Sequence, residues 1–181
     1  MKKKIAVFAG NECIKERESY YYDVAYKTGK FLAQAGFIVV TGGGPGLMDE
    51  TMRGAYDAGG KTIGVCLHIE GRLQSKYITN KFIYDHLNPR QEKLLSISDG
   101  YIAIPGGIGT LYEVLAVLAL KRKLDIPVDK PMILIDEYFN GFRGFLNFMI
   151  KEGFVTSNVE RLFLMVKTPE DAINELKRIY Q

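Results

Sequence analysis

The chain has 181 residues, of which 47% are hydrophobic and 25% are charged. This length fits one domain over residues 1–181, and this balance excludes an intrinsically disordered chain, a collagen and a coiled coil. Its 24 Lys and Arg residues against 21 Asp and Glu leave a net charge of only +3. Because these charges are scattered and form no basic tract, we expect no nucleic-acid partner.

The cysteines and histidines indicate no metal centre and no disulfide framework. Cys13 and Cys66 are the only cysteines, and His68 and His86 the only histidines, which are too few and too scattered for a four-ligand zinc site. The first apolar run ends at Asn11, too early for a signal peptide, and no uncharged apolar stretch approaches the ~18 residues of a membrane helix. We therefore expect a cytoplasmic protein with no membrane partner.

Short apolar runs alternate with helical patterns along the chain, which predicts an α/β fold with a doubly wound parallel sheet flanked by helices. Glycines follow several helical patterns, as C-terminal caps do. No structure is predicted for residues 70–86, the least regular segment. The predicted strands are residues 5–9, 37–40, 62–67, 101–104, 132–135 and 162–166, and the predicted helices are residues 19–35, 47–58, 89–98, 111–123, 142–151 and 169–179.

Two glycine-rich turns join a predicted strand to the helix that follows it. Glycines let a backbone approach a ligand closely, and the free N–H groups at a helix N-terminus attract anions. A phosphate-bearing ligand is therefore expected at these turns, which lie at the carboxyl ends of their strands. The residues predicted to bind it are Gly42, Gly43, Gly44, Gly46, Leu47 and Met48 in the first turn, and Pro105, Gly106, Gly107, Gly109 and Thr110 in the second.

Simpler interpretations of these glycines are open as well. They could only permit tight turns and close helix–sheet packing. An ordinary NAD site is disfavoured, because Leu47 stands where the last glycine of G-x-G-x-x-G would be. The P-loop-like tripeptide Gly60–Thr62 has the wrong spacing and follows a helix, so we interpret it as a helix end and the start of a strand.

Two charged residues near predicted helix starts have both a functional and a capping interpretation. Glu113 follows Thr110 at the spacing of a capping box, yet its carboxylate would also lie beside a ligand held by the glycine turn. Asn88 and Gln91 fit the N-cap and the reciprocal capping position of the helix after them. Arg90 is unexplained by capping, and an anionic partner would account for a cation in a first turn. Residues 168–171 provide an ordinary capping box for comparison.

The second glycine turn and its helix carry a family resemblance. Residues 105–113 read PGGIGTLYE, which resembles the PGGxGTxxE signature of the Lonely Guy (LOG) family. The first turn, GGGPGLM over residues 42–48, is similar to the family's other glycine motif. The sequence departs from the family pattern at Gln91, where a lysine is usual, at Asp49, where many members have glycine, and at Tyr112, where many have glutamate.

The resemblance implies a Rossmann-like homodimer that hydrolyses the N-glycosidic bond of a nucleoside 5′-monophosphate, AMP or N6-modified AMP, to free base and ribose 5-phosphate. An N6-prenylated base would be a cytokinin. By position, Glu113 would be the catalytic carboxylate at the ribose, and Arg90 would match the arginine of the family's Arg–Lys pair. The apolar helix over residues 114–120 would contribute to the dimer, and no metal or cofactor would be needed.

Two other functions are weighed against this one. The first is a binding protein of the same fold that carries molybdenum cofactor or senses nucleotides without hydrolysis, which Gln91 favours slightly. The second is lysine decarboxylase, an old label of the family, which requires a lysine that forms a Schiff base with pyridoxal phosphate. No lysine stands in a suitable place for it.

Overall fold

Residues 2–180 are described in the computed structural model and form one seven-stranded sheet with helices on both faces. All neighbouring strands are parallel, in the order β4-β3-β2-β1-β5-β6-β7. The strands are β1 (Lys4–Phe8), β2 (Ile38–Thr41), β3 (Thr62–Leu67), β4 (Asn80–Tyr84), β5 (Gly100–Ala103), β6 (Met132–Ile135) and β7 (Leu164–Val166). The helices are α1 (Glu18–Gln34), α2 (Leu47–Asp57), α3 (Leu87–Ser96), α4 (Ile108–Arg122), α5 (Asn140–Lys151) and α6 (Pro169–Tyr180).

The predicted α/β fold is confirmed, because each central strand is buried on both faces. In β1, Ile5 and Val7 pack with α1, α2 and α6 on one face of the sheet. Ala6 and Phe8 face the other way and pack with α3 and α4. This alternation follows from the two-residue repeat of a strand and explains why β1 is apolar at nearly every position.

The strand order reverses direction at β1, which has β2 on one side and β5 on the other. In a doubly wound sheet the helices on the two sides of such a switch point diverge, and a crevice opens at the carboxyl ends of the strands. Of the helices within residues 2–180, none combines the length and the apolar character required to span a bilayer.

Three local predictions about helix ends are confirmed. Gly36, at φ +85°, follows α1, and its N–H donates to the carbonyl of Ala33. The P-loop-like tripeptide is indeed a helix end and a strand start: Gly60 N–H donates to Ala55, and β3 begins two residues later. The comparison capping box of α6 forms in full, since Thr168 and Asp171 each accept the other's backbone N–H at 3.2 Å.

Two predicted helix starts are wrong, and both errors concern capping. Helix α3 begins at Leu87 with His86 as its N-cap, so Asn88 lies inside the first turn and does not cap. Helix α4 begins at Ile108, three residues earlier than predicted, and makes no side-chain cap. The capping-box interpretation of Glu113 is therefore wrong, and its carboxylate is available for another partner.

Residues 70–86, for which the sequence predicts no structure, contain a strand. Residues 80–84 form β4, which pairs with β3 from Ile63↔Asn80 to Leu67↔Tyr84. It is an edge strand with mostly exposed or half-buried side chains. Such a strand lacks the apolar pattern by which the central strands were predicted.

Candidate functional site

A cavity of about 340 Å³ opens at the carboxyl ends of β1, β2 and β3, beside the N-terminus of α4. Both glycine turns border it, together with the turn after β1, the segment after β3 and the first turns of α3. It lies at the crevice that the switch point creates. Its walls are Ala9, Gly10, Asn11, Glu12, Gly42, Gly43, Gly44, Met48, Cys66, Leu67, Arg72, Leu73, Gln74, Leu87, Arg90, Gly107, Ile108, Gly109, Thr110 and Glu113.

A buried ion pair forms one wall of this cavity. Arg90 Nη1 donates to Oε1 of Glu113 at 2.6 Å, and both residues are less than 10% exposed. Arg90 Nε also donates to the carbonyl of Val65 in β3 at 2.9 Å. Charge-assisted hydrogen bonds of this length are strong and directional. The pair therefore fixes the Glu113 carboxylate at the cavity wall.

Burial and the ion pair with Arg90 shift the pKa of Glu113 in opposite directions. Burial raises the pKa of this carboxyl above its ordinary value, while the charge and the hydrogen bond of Arg90 lower it. An arginine stays protonated at any physiological pH, so its charge always favours the carboxylate form. A glutamate held in this way suits a role as a base or as a stabiliser of positive charge.

Gln91 lies beside the ion pair with an unused donor. Its Oε1 is 3.5 Å from Arg90 Nη1, and its side chain is buried. Its Nε2 is the only buried side-chain N or O atom without a hydrogen-bond partner among the described residues. An unsatisfied buried donor is unfavourable unless a ligand or water completes it.

The first glycine turn makes room for neighbouring side chains. A β-carbon at Gly42 would overlap the guanidinium of Arg90, and one at Gly44 would lie 2.7 Å from Met48 Cε and 2.9 Å from Arg72 Nη2. Helix α2, which follows this turn, carries Asp49 and Glu50 in its first turn. These carboxylates already complement the helix dipole and repel an added anion.

The second glycine turn faces open space. A β-carbon at Gly107 or Gly109 would meet no atom within 4 Å. Helix α4 has no acidic residue in its first turn. Within residues 2–180, the backbone N–H groups of residues 107–110 donate to no partner. Of the two turns, this one has the properties of an anion site.

The predicted site residues divide into two groups. Four of them do not line the cavity: Gly46, Leu47, Pro105 and Gly106. Gly46, at φ +71°, packs against the backbone of Asn11, and Leu47 is in the core. These residues shape the turns without bordering the cavity. Those that line the cavity are Gly42, Gly43, Gly44, Met48, Arg90, Gly107, Gly109, Thr110 and Glu113.

Several cavity residues were not predicted from the sequence. Gly10, Asn11 and Glu12 follow β1, and the general rule that ligands bind at carboxyl ends could have indicated them. Arg72 belongs to the segment without a predicted structure. Its guanidinium makes no ion pair or hydrogen bond with any described residue, and it is the cavity's second cation. No local pattern marks it.

Comparisons with known proteins agree with this architecture. A family model described as "possible lysine decarboxylase" matches residues 48–176. A probable cytokinin riboside 5′-monophosphate phosphoribohydrolase from Oryza sativa subsp. japonica is 31% identical over 183 residues, which cover 97% of this chain and 70% of the relative. This chain belongs to the LOG family. A cytokinin riboside 5′-monophosphate phosphoribohydrolase from Arabidopsis thaliana is 30% identical, with 96% and 81% covered.

Solved structures contain the same fold in proteins with another role. The molybdenum cofactor binding protein from Rippkaea orientalis superposes on this LOG-family chain with a TM-score of 0.75 and 27% identity. The superposition covers 100% of this chain and 99% of the other. The family therefore shares its architecture with proteins whose described function is binding.

The decarboxylase description of the family does not fit this site. Pyridoxal phosphate is held by a Schiff base to a lysine, and the residues that line the cavity include two arginines and no lysine. Burial lowers the pKa of Lys121 to about 8. That lysine donates to the carbonyls of Val128 and Leu162 near the far end of α4, away from the cavity.

Among residues 2–180, no cluster of His, Cys, Asp and Glu could hold a metal ion.

Proposed function

We propose that this LOG-family protein hydrolyses the N-glycosidic bond of a nucleoside 5′-monophosphate, with AMP or an N6-modified AMP as substrate. The products are the free base and ribose 5-phosphate. The observation that carries the proposal is the buried Arg90–Glu113 pair beside the unoccupied amides of the α4 N-terminus. The names of the curated relatives, which are phosphoribohydrolases of cytokinin riboside 5′-monophosphate, support the same activity.

In this proposal the 5′-phosphate binds at the N-terminus of α4. The amides of residues 107–110 and the hydroxyl of Thr110 would donate to its oxygens, and the dipole of a 15-residue helix favours a dianion there. Gly107 and Gly109 leave space for it because no side chain occupies their cavity side. The first glycine turn would contact the remainder of the nucleotide, since its helix dipole is already complemented by two carboxylates.

Glu113 would act at the ribose. It lies one turn of helix beyond the phosphate site, so a nucleotide held by its phosphate brings the sugar to this carboxylate. As the bond from C1′ to the base nitrogen breaks, positive charge develops on the sugar, and a fixed carboxylate stabilises it. Water adds its hydroxyl to C1′, and its proton goes to the departing base. The charge of Arg90 favours the carboxylate form of Glu113 against the effect of burial, and its hydrogen bond holds the carboxylate in place.

The proposed chemistry assigns no step to a metal or a cofactor. The carboxylate of Glu113 and the α4 amides supply the charge stabilisation, and binding of the phosphate supplies the positioning. We therefore expect turnover to be insensitive to EDTA.

The test is incubation of the purified protein with a panel of nucleoside 5′-monophosphates, with release of free base and ribose 5-phosphate as the readout. Glu113→Gln keeps the size of the side chain and removes its charge, and we expect it to lower kcat by about 100-fold or more. Glu152→Gln, which alters an exposed carboxylate at the end of α5, outside the cavity wall, serves as the matched control. A Glu113→Gln protein with full turnover would refute the assignment.

A second candidate function is a carrier or sensor that binds without hydrolysis. Gln91 favours it slightly, because a neutral side chain lies beside the ion pair at a position where the family usually has a lysine. The similarity to a molybdenum cofactor binding protein supports it as well. In that case the protein would bind nucleotides without releasing base, and Glu113→Gln would bind as tightly as the parent protein.

We also propose that the protein forms a homodimer through α4. Val114, Val117 and Leu118 of this helix are in the core, but an apolar stripe on its opposite side faces solvent. The stripe begins at the cavity mouth, where the side chain of Ile108 is 88% exposed. A second copy packed there would shield both apolar stripes and narrow both openings. The exposed apolar stripe consists of Ile108, Tyr112, Leu115 and Ala119.

A further inference from the structure

We infer that Tyr138 is a positioning residue for the anion site at the start of α4, which is the phosphate site of the proposed function. Its phenol lies outside the cavity, in a cleft at the carboxyl end of β6. Its hydroxyl donates to the carbonyl oxygen of Gly106 at 2.7 Å.

The geometry of the peptide group transmits this contact to the cavity. In a trans peptide the carbonyl of one residue and the N–H of the next point in opposite directions, and the chain contains no cis peptide among its described residues. Because Tyr138 holds the Gly106 carbonyl toward its own cleft, the N–H of Gly107 points away from that cleft. Gly107 lines the cavity, and its N–H has no partner within residues 2–180.

This peptide needs an external restraint. It joins two glycines, which have more backbone freedom than any other residue type, so a rotation of the peptide plane is not resisted by side chains. On its other side, Gly106 packs against Thr110 and the backbone of Gly10. Packing limits translation of the turn, whereas the hydrogen bond from Tyr138 sets which way the N–H points.

Tyr138 is itself held in place by its neighbours. Asp136 adopts φ +91° and ψ 148°, a strained backbone for a residue with a side chain, directly after β6. Its Oδ1 accepts the backbone N–H of Tyr138 at 2.7 Å, and its Oδ2 accepts the hydroxyl of Tyr20. Phe139 is buried, and its ring packs edge to face with that of Tyr138, with the two ring centroids 5.3 Å apart. These contacts hold the backbone of Tyr138 and pack one side of its ring, while the hydroxyl of this 48% exposed residue is held by its hydrogen bond to Gly106.

The consequence is selective for the phosphate. If the Gly107 N–H is free to turn away, the site loses one of its donors to a charged oxygen, and the ribose and base contacts are unchanged. A hydrogen bond to a charged group corresponds to an affinity change of about 10- to 100-fold. We therefore expect Tyr138→Phe to weaken binding of inorganic phosphate and ribose 5-phosphate by that factor. Binding of adenosine, which lacks the phosphate, should be unchanged.

The experiment titrates inorganic phosphate, ribose 5-phosphate and adenosine into the full-length protein by calorimetry, for the parent, Tyr138→Phe and Tyr26→Phe. Tyr26→Phe is the matched control, because it removes a hydroxyl that contacts Asp57 at 3.2 Å, outside the cavity wall. In turnover assays Tyr138→Phe should raise KM for the nucleotide with a smaller change in kcat, and Tyr26→Phe should change neither. A general loss of structure would weaken adenosine binding in parallel with phosphate binding.

The outcomes separate this inference from the function on which it rests. Equal binding of phosphate by the parent and Tyr138→Phe would overturn the inference and leave the proposed function standing. A parallel loss for phosphate and adenosine would also overturn it, since Tyr138 would then only support the fold. Failure of the parent protein to bind phosphate or ribose 5-phosphate would overturn both.

Discussion

Arg90 and Glu113, which are 23 positions apart in the chain, share a hydrogen bond of 2.6 Å at the cavity wall. Arg90 comes from α3 and Glu113 from α4, and the guanidinium spans the distance from the carbonyl of Val65 to the carboxylate. The absence of a side chain at Gly42 makes space for it. One pair thus links β3, the first glycine turn and the helix that follows the second.

The acidic side of the pH profile should report Glu113. The proposed reaction needs the carboxylate, so turnover falls as the pH drops through its pKa. Burial raises this pKa, so the loss should begin at a higher pH than for an ordinary glutamate. Arg90→Met removes the opposing charge and should move this limb to still higher pH, in addition to lowering turnover. Arg72→Met is the control, and a limb that moves equally in both variants would contradict the assignment.

Arg72 should contribute to nucleotide affinity. It is a cation at the cavity wall without a carboxylate partner among the described residues, so its charge is available to an anionic ligand. We expect Arg72→Ala to raise KM for a nucleoside 5′-monophosphate by about 10-fold and to change kcat little. Arg143→Ala, on the exposed side of α5, is the control. An unchanged KM would show that Arg72 does not contact the substrate.

Lys121 should make stability depend on pH in the alkaline range. Burial lowers its pKa to about 8 in the folded protein, against 10.5 for an ordinary lysine. Between these two values the unfolded chain binds more protons, so the free energy of unfolding should rise with pH, with a limiting slope of about 1.4 kcal/mol per pH unit. Chemical denaturation at several pH values measures this slope.

Lys121→Met provides the reference for that measurement, because it removes the titrating group and keeps an apolar stem of similar length. The difference in slope between the parent and this variant isolates the contribution of Lys121. Lys123→Met, which alters an exposed lysine two positions later, should retain the parent slope. A Lys121→Met slope that equals the parent's would contradict the expectation.

The molecular mass of the protein in solution tests the proposed dimer directly. Leu115 is exposed in the middle of the α4 stripe, so Leu115→Glu would place a charge in the interface and should convert a dimer to a monomer at micromolar concentration. Phe148→Glu, at an exposed apolar position of α5, should leave the dimer intact. Light scattering distinguishes the two states. A parent protein that is monomeric would refute the proposal.

Local sequence patterns predicted most of the fold and half of the site. The central strands are recognisable because they are buried on both faces, as β1 and β6 illustrate. The glycine turns and Glu113 stand out by spacing. The edge strand β4 escaped prediction because its side chains are largely exposed, and the two capping boxes were assigned wrongly because a correct capping spacing does not determine where a helix begins.

The sequence by itself determined the alternation of strands and helices, because the periods of burial are local properties of the chain. It could not determine which carboxylate meets which guanidinium. Arg90 and Glu113, and likewise Tyr138 and Gly106, come together only because parallel strands bring their carboxyl ends to one edge of the sheet. The two glycine turns look alike in sequence. Tertiary structure decided that one makes space for Arg90 and that the other faces open space at the start of a helix without acidic residues.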